Sequence, residues 1–261
     1  MIPFTQRKVA ILEYHDLSSD RLHSRDFHSP YVLPANIFRG HMEWLQENGY
    51  NALTIDRLFE PSVPEKSVVL TFDDGHISNY EFAYPVLRKL KLAATFFIVP
   101  GYIGKTDRMS VAQMIEMKES GMRFESHSLT HPYLVDLTKQ EMLREMTESK
   151  SRIEALVNNK VSHFSVPYGF YDGNVIECAT EAGYRTLVTE EFGYCRLSSD
   201  PFKIVPRFTI KSGCGLDKLK CIMEKRKAPL AGDYANYLSL RLAKSLLGHK
   251  RYLRVKALVL K

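Results

Sequence analysis

The chain has 261 residues, 44% of them hydrophobic and 25% charged, and a formal net charge of +6 at pH 7. These values are ordinary for a soluble globular protein of one large or two small domains, and no run approaches the ~20 apolar residues that span a bilayer. The charge is uneven: from Lys218 to Lys261 twelve Lys/Arg stand against Glu224 and Asp233 (+10), which leaves 24 basic and 28 acidic residues (−4) elsewhere. A neutral-to-acidic body with a basic tail argues against a nucleic-acid enzyme with a charged cleft. It suits a body that does chemistry and a tail that meets an anionic surface. Met1 to Ala10 carries no long apolar core and no small-residue cleavage site, so the expected location is cytoplasmic, at the inner face of the membrane. Cys178, Cys195, Cys214 and Cys221 form no C-x-x-C pair, and Cys178 reads as a small core residue.

In chain order, Lys8 to His15 reads as an opening strand that ends on a histidine. Arg21 to Leu33 is polar and Pro-bounded and reads as a loop, where His23 and His28 are taken as solvated. From Pro34 an apolar face of Ile37, Phe38, Met42, Trp44 and Leu45 predicts a helix that stops at Asn48-Gly49. Asn51 to Leu53 is a short strand, and Thr54 is expected to cap a brief helix through Leu58, broken by Pro61 and Pro64. Ser67-Val68-Val69-Leu70 is a continuous apolar strand. A helix follows over about Ile77 to Leu90, then a strand over Ala93 to Val99. Ser110 with Gln113 and Thr138 with Glu141 spell two capping boxes, each opening a helix. Strands at Met122–Glu125, His163–Val166, Tyr184–Val188 and Lys203–Ile210 alternate with these helices and with one over Gly173–Ala182. Apolar strands alternating with helices predict a parallel sheet covered by helices, and the number of units favours a barrel over an open sheet.

Chemistry concentrates at two strand exits. Thr71-Phe72-Asp73-Asp74-Gly75 puts two acids and a turn-permitting glycine after one strand. His127-Ser128-Leu129-Thr130-His131 puts two imidazoles four residues apart after another, close enough to converge on one cation. Adjacent aspartates are also ordinary turn chemistry, and a lone H-x-x-x-H arises by chance; both together, each at the exit of a buried strand, point to a metal site. Asp74, His127 and His131 would then hold a divalent ion with one position open. Water there loses a proton near neutral pH, and Asp73, on the other side of the strand from Asp74, is placed to accept it.

These two motifs resemble the first two of the polysaccharide deacetylases, the NodB-homology or carbohydrate esterase family 4 domain, over roughly residues 8–211. The resemblance implies a deformed (β/α)7 barrel with parallel strands over residues 1–217, followed here by a basic helical extension over 218–261. It implies removal of N-acetyl groups from an N-acetylhexosamine-containing glycan, polysaccharide or lipid-linked. The implied roles are Asp73 as base and Asp74, His127 and His131 as ligands of a divalent metal, Zn2+ before Co2+, Ni2+ or Mn2+. The family's usual acid, a histidine near the domain's end, is absent after Val205-Pro206-Arg207-Phe208-Thr209-Ile210. His15 takes its place, as in the circularly permuted deacetylases of poly-N-acetylglucosamine, and Asp16 is a candidate to orient its ring. The third motif departs: Ser165-Val166-Pro167-Tyr168-Gly169 keeps Pro167 and Tyr168, with Tyr168 N–H as an oxyanion donor, but has serine where arginine is expected. Arg207 is the candidate replacement for orienting Asp73. The fourth motif is missing, and Trp44, the only tryptophan, reads as core. The alternatives are an inactive glycan-binding protein and an amidohydrolase acting on a non-sugar amide. In the tail, Tyr234, Leu238, Leu242 and Leu246 form a stripe beside Arg241, Lys244, Lys250, Arg251 and Arg254. That pattern suits either a helix packed on the barrel or one lying peripherally on an anionic membrane.

Overall fold

The computed structural model describes residues 7–19, 29–60, 62–197 and 200–259; His23, His28 and Pro61 lie outside them. The chain divides into two compact units, Met1–Leu216 and Asp217–Lys261. In the first, the strands are β1 (Lys8–Tyr14), β2 (Asp16–Ser18), β3 (Val32–Pro34), β4 (Asn51–Leu53), β5 (Ser67–Phe72), β6 (Thr95–Ile98), β7 (Arg123–Ser126), β8 (His163–Ser165), β9 (Thr186–Phe192), β10 (Cys195–Arg196) and β11 (Lys203–Thr209). The helices between them are α1 (Ala35–Glu47), α2 (Tyr84–Leu90), α3 (Val111–Glu119), α4 (Lys139–Val157) and α5 (Gly173–Glu181). The second unit carries most of α6 (Leu216–Met223) and all of α7 (Lys227–Val259).

Seven parallel strands close into a barrel. The order β1-β11-β9-β8-β7-β6-β5 returns to β1, which pairs with both β5 and β11. The fold is the deformed (β/α)7 barrel, with β4 added beside β5 and β10 antiparallel to β1. β5 shows why the strands read as unbroken apolar runs: all six of its residues are buried, because helices cover one side and the barrel core the other. Residues two apart share a side, so Val9, Ile11 and Glu13 make one inward column and Val69, Thr71 and Asp73 another. Val205 and Arg207 make a third; between them β9 advances four residues, Val188 to Phe192, against two on β11, so the irregularity bulges β9. The lower ends of these columns meet Phe97, Val188, Ile55 and Leu58 in one apolar cluster. Their upper ends carry Glu13, Asp73 and Arg207. The barrel interior therefore changes from hydrocarbon to charge as it rises toward the strand exits.

Both predicted capping boxes form, at Ser110/Gln113 and Thr138/Glu141. Thr54 differs: it precedes a 3-10 turn over Ile55–Phe59 but makes no side-chain cap bond. The helix expected from Ile77 contains a π-turn over Asn79–Ala83 before α2. Trp44 is only half-buried, with its ring 5.6 Å from Tyr50. In the second unit, α7 begins at Lys227, well before Tyr234, with Pro229 tolerated in its first turn. Leu238, Leu240 and Leu242 are all exposed, and at ~100° per residue Leu238 and Leu240 lie on nearly opposite sides. No described helix is long and apolar enough to cross a membrane.

Candidate metal centre and the charged network beside it

The chain leaves β5 at Asp73 and turns at Asp74, whose φ of 70° is left-handed, as is the 68° of Gly75. Beyond β7, Ser128 and His131 are also left-handed, at 63° and 64°. Each such non-glycine residue costs ~1–2 kcal/mol, a strain that persists where the surroundings hold it. The surroundings are specific. Ser128 Oγ accepts from His131 N–H at 2.9 Å. Glu145, from α4, accepts from the Leu129 and Thr130 N–H groups at 2.9 Å each and from Thr130 Oγ at 2.7 Å. Gly101 donates its N–H to Leu129 O at 2.9 Å, and a Cβ there would lie only 2.7 Å from that oxygen. Neither Glu145 nor Gly101 was legible as a site residue, because they act on main chain far away in sequence.

The result is a tight triangle of donors. Asp74 Oδ1 lies 3.5 Å from His127 Nε2 and 3.4 Å from His131 Nε2, and the two nitrogens are 3.2 Å apart. Tetrahedral ligands at ~2.0–2.1 Å from a zinc ion stand ~3.3–3.4 Å from one another, so these residues fit a divalent cation. Asp74 Oδ1 is buried and has no hydrogen-bond partner among the described residues, as expected of an acceptor reserved for such an ion. His127 Nδ1–H donates to Ser165 O at 2.8 Å, which turns the lone pair of Nε2 toward the site. Burial and the neighbouring His127 lower the pKa of His131 to about 4, leaving it neutral and ready to ligate.

Asp73 sits beside this triangle, 3.8 Å from His127 Nε2. The simple alternation of strand residues would have placed Asp73 and Asp74 on opposite sides. The left-handed turn at Asp74 instead brings both carboxylates to one site. Arg207 grips Asp73 in a two-pronged contact, Nη1–Oδ1 at 2.8 Å and Nη2–Oδ2 at 2.7 Å, and is itself 1% exposed. Ser165 explains the altered third motif: its hydroxyl donates to Asp73 Oδ2 at 2.9 Å and accepts from Arg207 Nη2 at 3.0 Å. A small residue on β8 leaves room for an arginine arriving from β11. Burial alone would raise the Asp73 carboxyl, but Arg207, His127 and His15 outweigh it and hold it well below the usual carboxylate range.

His15 lies at the exit of β1, between β5 and β11, with its ring 4.8 Å from Tyr31. Asp16 does not orient it; its carboxylate lies 3.9 Å from His76. The acid beside His15 Nε2 is Glu13, at 3.6 Å, and ligand atoms of Glu13, His15 and Asp73 lie within 4.8 Å of one another. Pro167 is buried and opens a 3-10 turn in which Tyr168 is left-handed at 59°. The Tyr168 ring, 40% exposed at the rim, stands 4.5 Å from that of His131 and stacks on Tyr133 at 3.9 Å.

A cation triangle with a carboxylate and a histidine beside it, at the mouth of a parallel barrel, defines a candidate metallohydrolase centre. The sequence relationships agree. Residues 60–187 match the family model described as Polysaccharide deacetylase. YxkH of Bacillus subtilis (strain 168) is 36% identical over 191 residues, 71% of this chain. The poly-beta-1,6-N-acetyl-D-glucosamine N-deacetylase of Staphylococcus aureus (strain MSSA476) is 26% identical over 214 residues, 78% of this chain. Each alignment spans 66% of the relative, just under two thirds. The Streptococcus pyogenes deacetylase PplD, solved with acetate, superposes with a TM-score of 0.77 at 26% identity, over 84% of this chain and 99% of that one. The chain belongs to the polysaccharide deacetylase family.

Proposed function

We propose that the protein hydrolyses N-acetyl groups from a glycan containing N-acetylhexosamine, releasing acetate and a free amine on the sugar. The observation that carries this reading is the donor triangle of Asp74, His127 and His131 with Asp73 locked beside it. The name of the Staphylococcus aureus relative supports a poly-N-acetylglucosamine substrate. Asp74, His127 and His131 would hold the divalent ion, zinc suiting two imidazoles and one carboxylate. Such an ion supplies Lewis acidity, activating water and polarising the acyl carbonyl.

The remaining work falls to the chain's own residues. Asp73, kept ionised by Arg207, takes the proton of the attacking water. The Tyr168 N–H and the rim around Pro167 receive the carbonyl oxygen. His15 gives its proton to the amine nitrogen as it leaves. The stacked Tyr168 and Tyr133 rings offer an apolar wall to the sugar at the rim.

Acetate release from poly-β-1,6-N-acetylglucosamine and chitin oligosaccharides tests this, with Asp73→Asn as control. Wild type should release acetate and the variant should lose at least a hundredfold in kcat. Wild type inactive on every acylated sugar, while still binding them, would replace the enzyme with a glycan-binding protein.

A further inference from the structure

Glu13 is a fully buried acid that the chemistry above does not use. It interrupts the apolar strand KVAILEY two residues before His15, so both side chains leave β1 on the same side. Its Oε2 accepts from Thr209 Oγ1 at 2.8 Å. Its Oε1 has no hydrogen-bond partner among the described residues, yet lies 3.4 Å from Arg207 Nη2 and 3.6 Å from His15 Nε2. A buried carboxylate oxygen without a full bond, aimed between two nitrogens, is costly unless it has electrostatic work.

Resting on the deacetylase reading, we propose that Glu13 is a positioning residue for His15, fixing the imidazole and holding on its Nε2 the proton that leaves with the amine. The charge balance of the buried group points the same way. Arg207 carries one positive charge and is shared by Asp73 and Glu13, which together carry two negative ones. One further positive charge, the imidazolium of His15, brings the quartet to neutrality, the cheapest state for charges away from water. Without Glu13, Arg207 and Asp73 already cancel, and His15 loses the largest of the carboxylate charges that favour its proton. Among the described residues, His15 also feels Asp74, Asp16 and His131 and, from β9, Glu190. Burial alone would lower the pKa of His15; Glu13, then Asp73, Asp74 and Glu190, reverse that and raise it. Burial lifts Glu13 to about 7 against the pull of Arg207 and His15, so the pair holds one proton near neutrality.

The step served is balanced. As the C–N bond breaks, its electron pair stays on nitrogen, which takes the proton from His15 Nε2. The acyl carbon keeps the oxygen of the attacking water, whose proton went to Asp73; before the next turnover Asp73 releases that proton to solvent and His15 takes one from solvent.

Leaving-group dependence separates this from a structural role. Full-length wild type, Glu13→Gln, His15→Gln and the double variant are compared on an N-acetylated amino-sugar oligomer and on 4-nitrophenyl acetate. The aryl oxide of the latter departs without a proton. Glu13→Gln should lose about 10–100-fold in kcat on the amide with KM little changed, and at least tenfold less on the ester. The double variant should be no slower on the amide than His15→Gln. Should Glu13→Gln fail to fold, Thr209→Val, which removes the hydroxyl on Oε2, should show the same selective loss in smaller measure. Equal losses on both substrates, or an undiminished amide rate, overturn the role of Glu13 alone. Wild type that releases acetate from neither substrate overturns the deacetylase reading beneath it.

Discussion

Arg207→Met tests the network under the site. Arg207 donates to Asp73 at 2.8 and 2.7 Å, to Ser165 Oγ at 3.0 Å, and to Thr71 Oγ1 and Thr189 O at 3.2 Å each. Methionine fills much of the volume but leaves two buried carboxylates without their shared cation. Breaking a buried pair by removing one partner costs ~3–5 kcal/mol, against ~0–1 kcal/mol for an exposed pair. That loss is a large part of the ~5–15 kcal/mol that holds a typical domain together. Urea unfolding of metal-free protein at pH 7 measures it. The sign with pH is fixed too. The Asp73 carboxyl is held below its unfolded value of ~3.9, so its contribution is present above about pH 4 and fades as pH falls further. The gap between wild type and variant should narrow below pH 4, and adding Asp73→Asn to Arg207→Met should recover part of the loss. A loss under about 1 kcal/mol at pH 7, or a gap that does not narrow, would refute the account of a charge-balanced interior.

His163, fully buried at the start of β8 with its Nδ1 2.8 Å from Thr186 Oγ1, is driven by burial down to about 3. The unfolded chain binds a proton there below ~6.5 and the folded chain does not, so stability should fall as pH drops from about 6.5 toward 3. His163→Gln should remove about one proton from that slope, ~1.4 kcal/mol per pH unit between pH 6 and 4; an unchanged slope contradicts the assignment. Glu145→Ala frees the two N–H groups that hold the histidine turn and should weaken metal binding about 10–100-fold, read by competition with a chromophoric chelator. Gly101→Ala, pressing on Leu129 O, should do the same while Gly40→Ala, in α1 with open space around it, should not. The basic helix should sediment full-length protein with anionic but not zwitterionic vesicles; equal sedimentation after removal of residues 229–261 would reject that role for the tail.

The two signature motifs were readable because metal ligation demands particular side chains at strand exits, and little else puts two acids and two histidines there. The strands themselves were readable because most of their residues are buried on both sides, as all six are in β5. What stayed hidden acts across the barrel. Glu13 is a single charged letter in an apolar strand, and nothing local says that Arg207, far along the chain, will meet it. The sequence could offer Arg207 as the replacement for the arginine missing at 165, but not show that the Ser165 hydroxyl would bridge Asp73 and Arg207. Alternation misled at Asp74, since a left-handed residue after the strand reverses the direction of its side chain. β2, β3 and β10 are two or three residues long and lie in polar or Pro-bounded stretches with no continuous apolar run to mark them.

The central claim is that Asp74, His127 and His131 grip one cation together. Calorimetric titration of zinc into chelator-treated full-length protein measures it. The account predicts one ion per chain in wild type and at least a hundredfold weaker binding in Asp74→Asn, His127→Gln and His131→Gln alike. Equal affinity and stoichiometry in wild type and all three variants would contradict it.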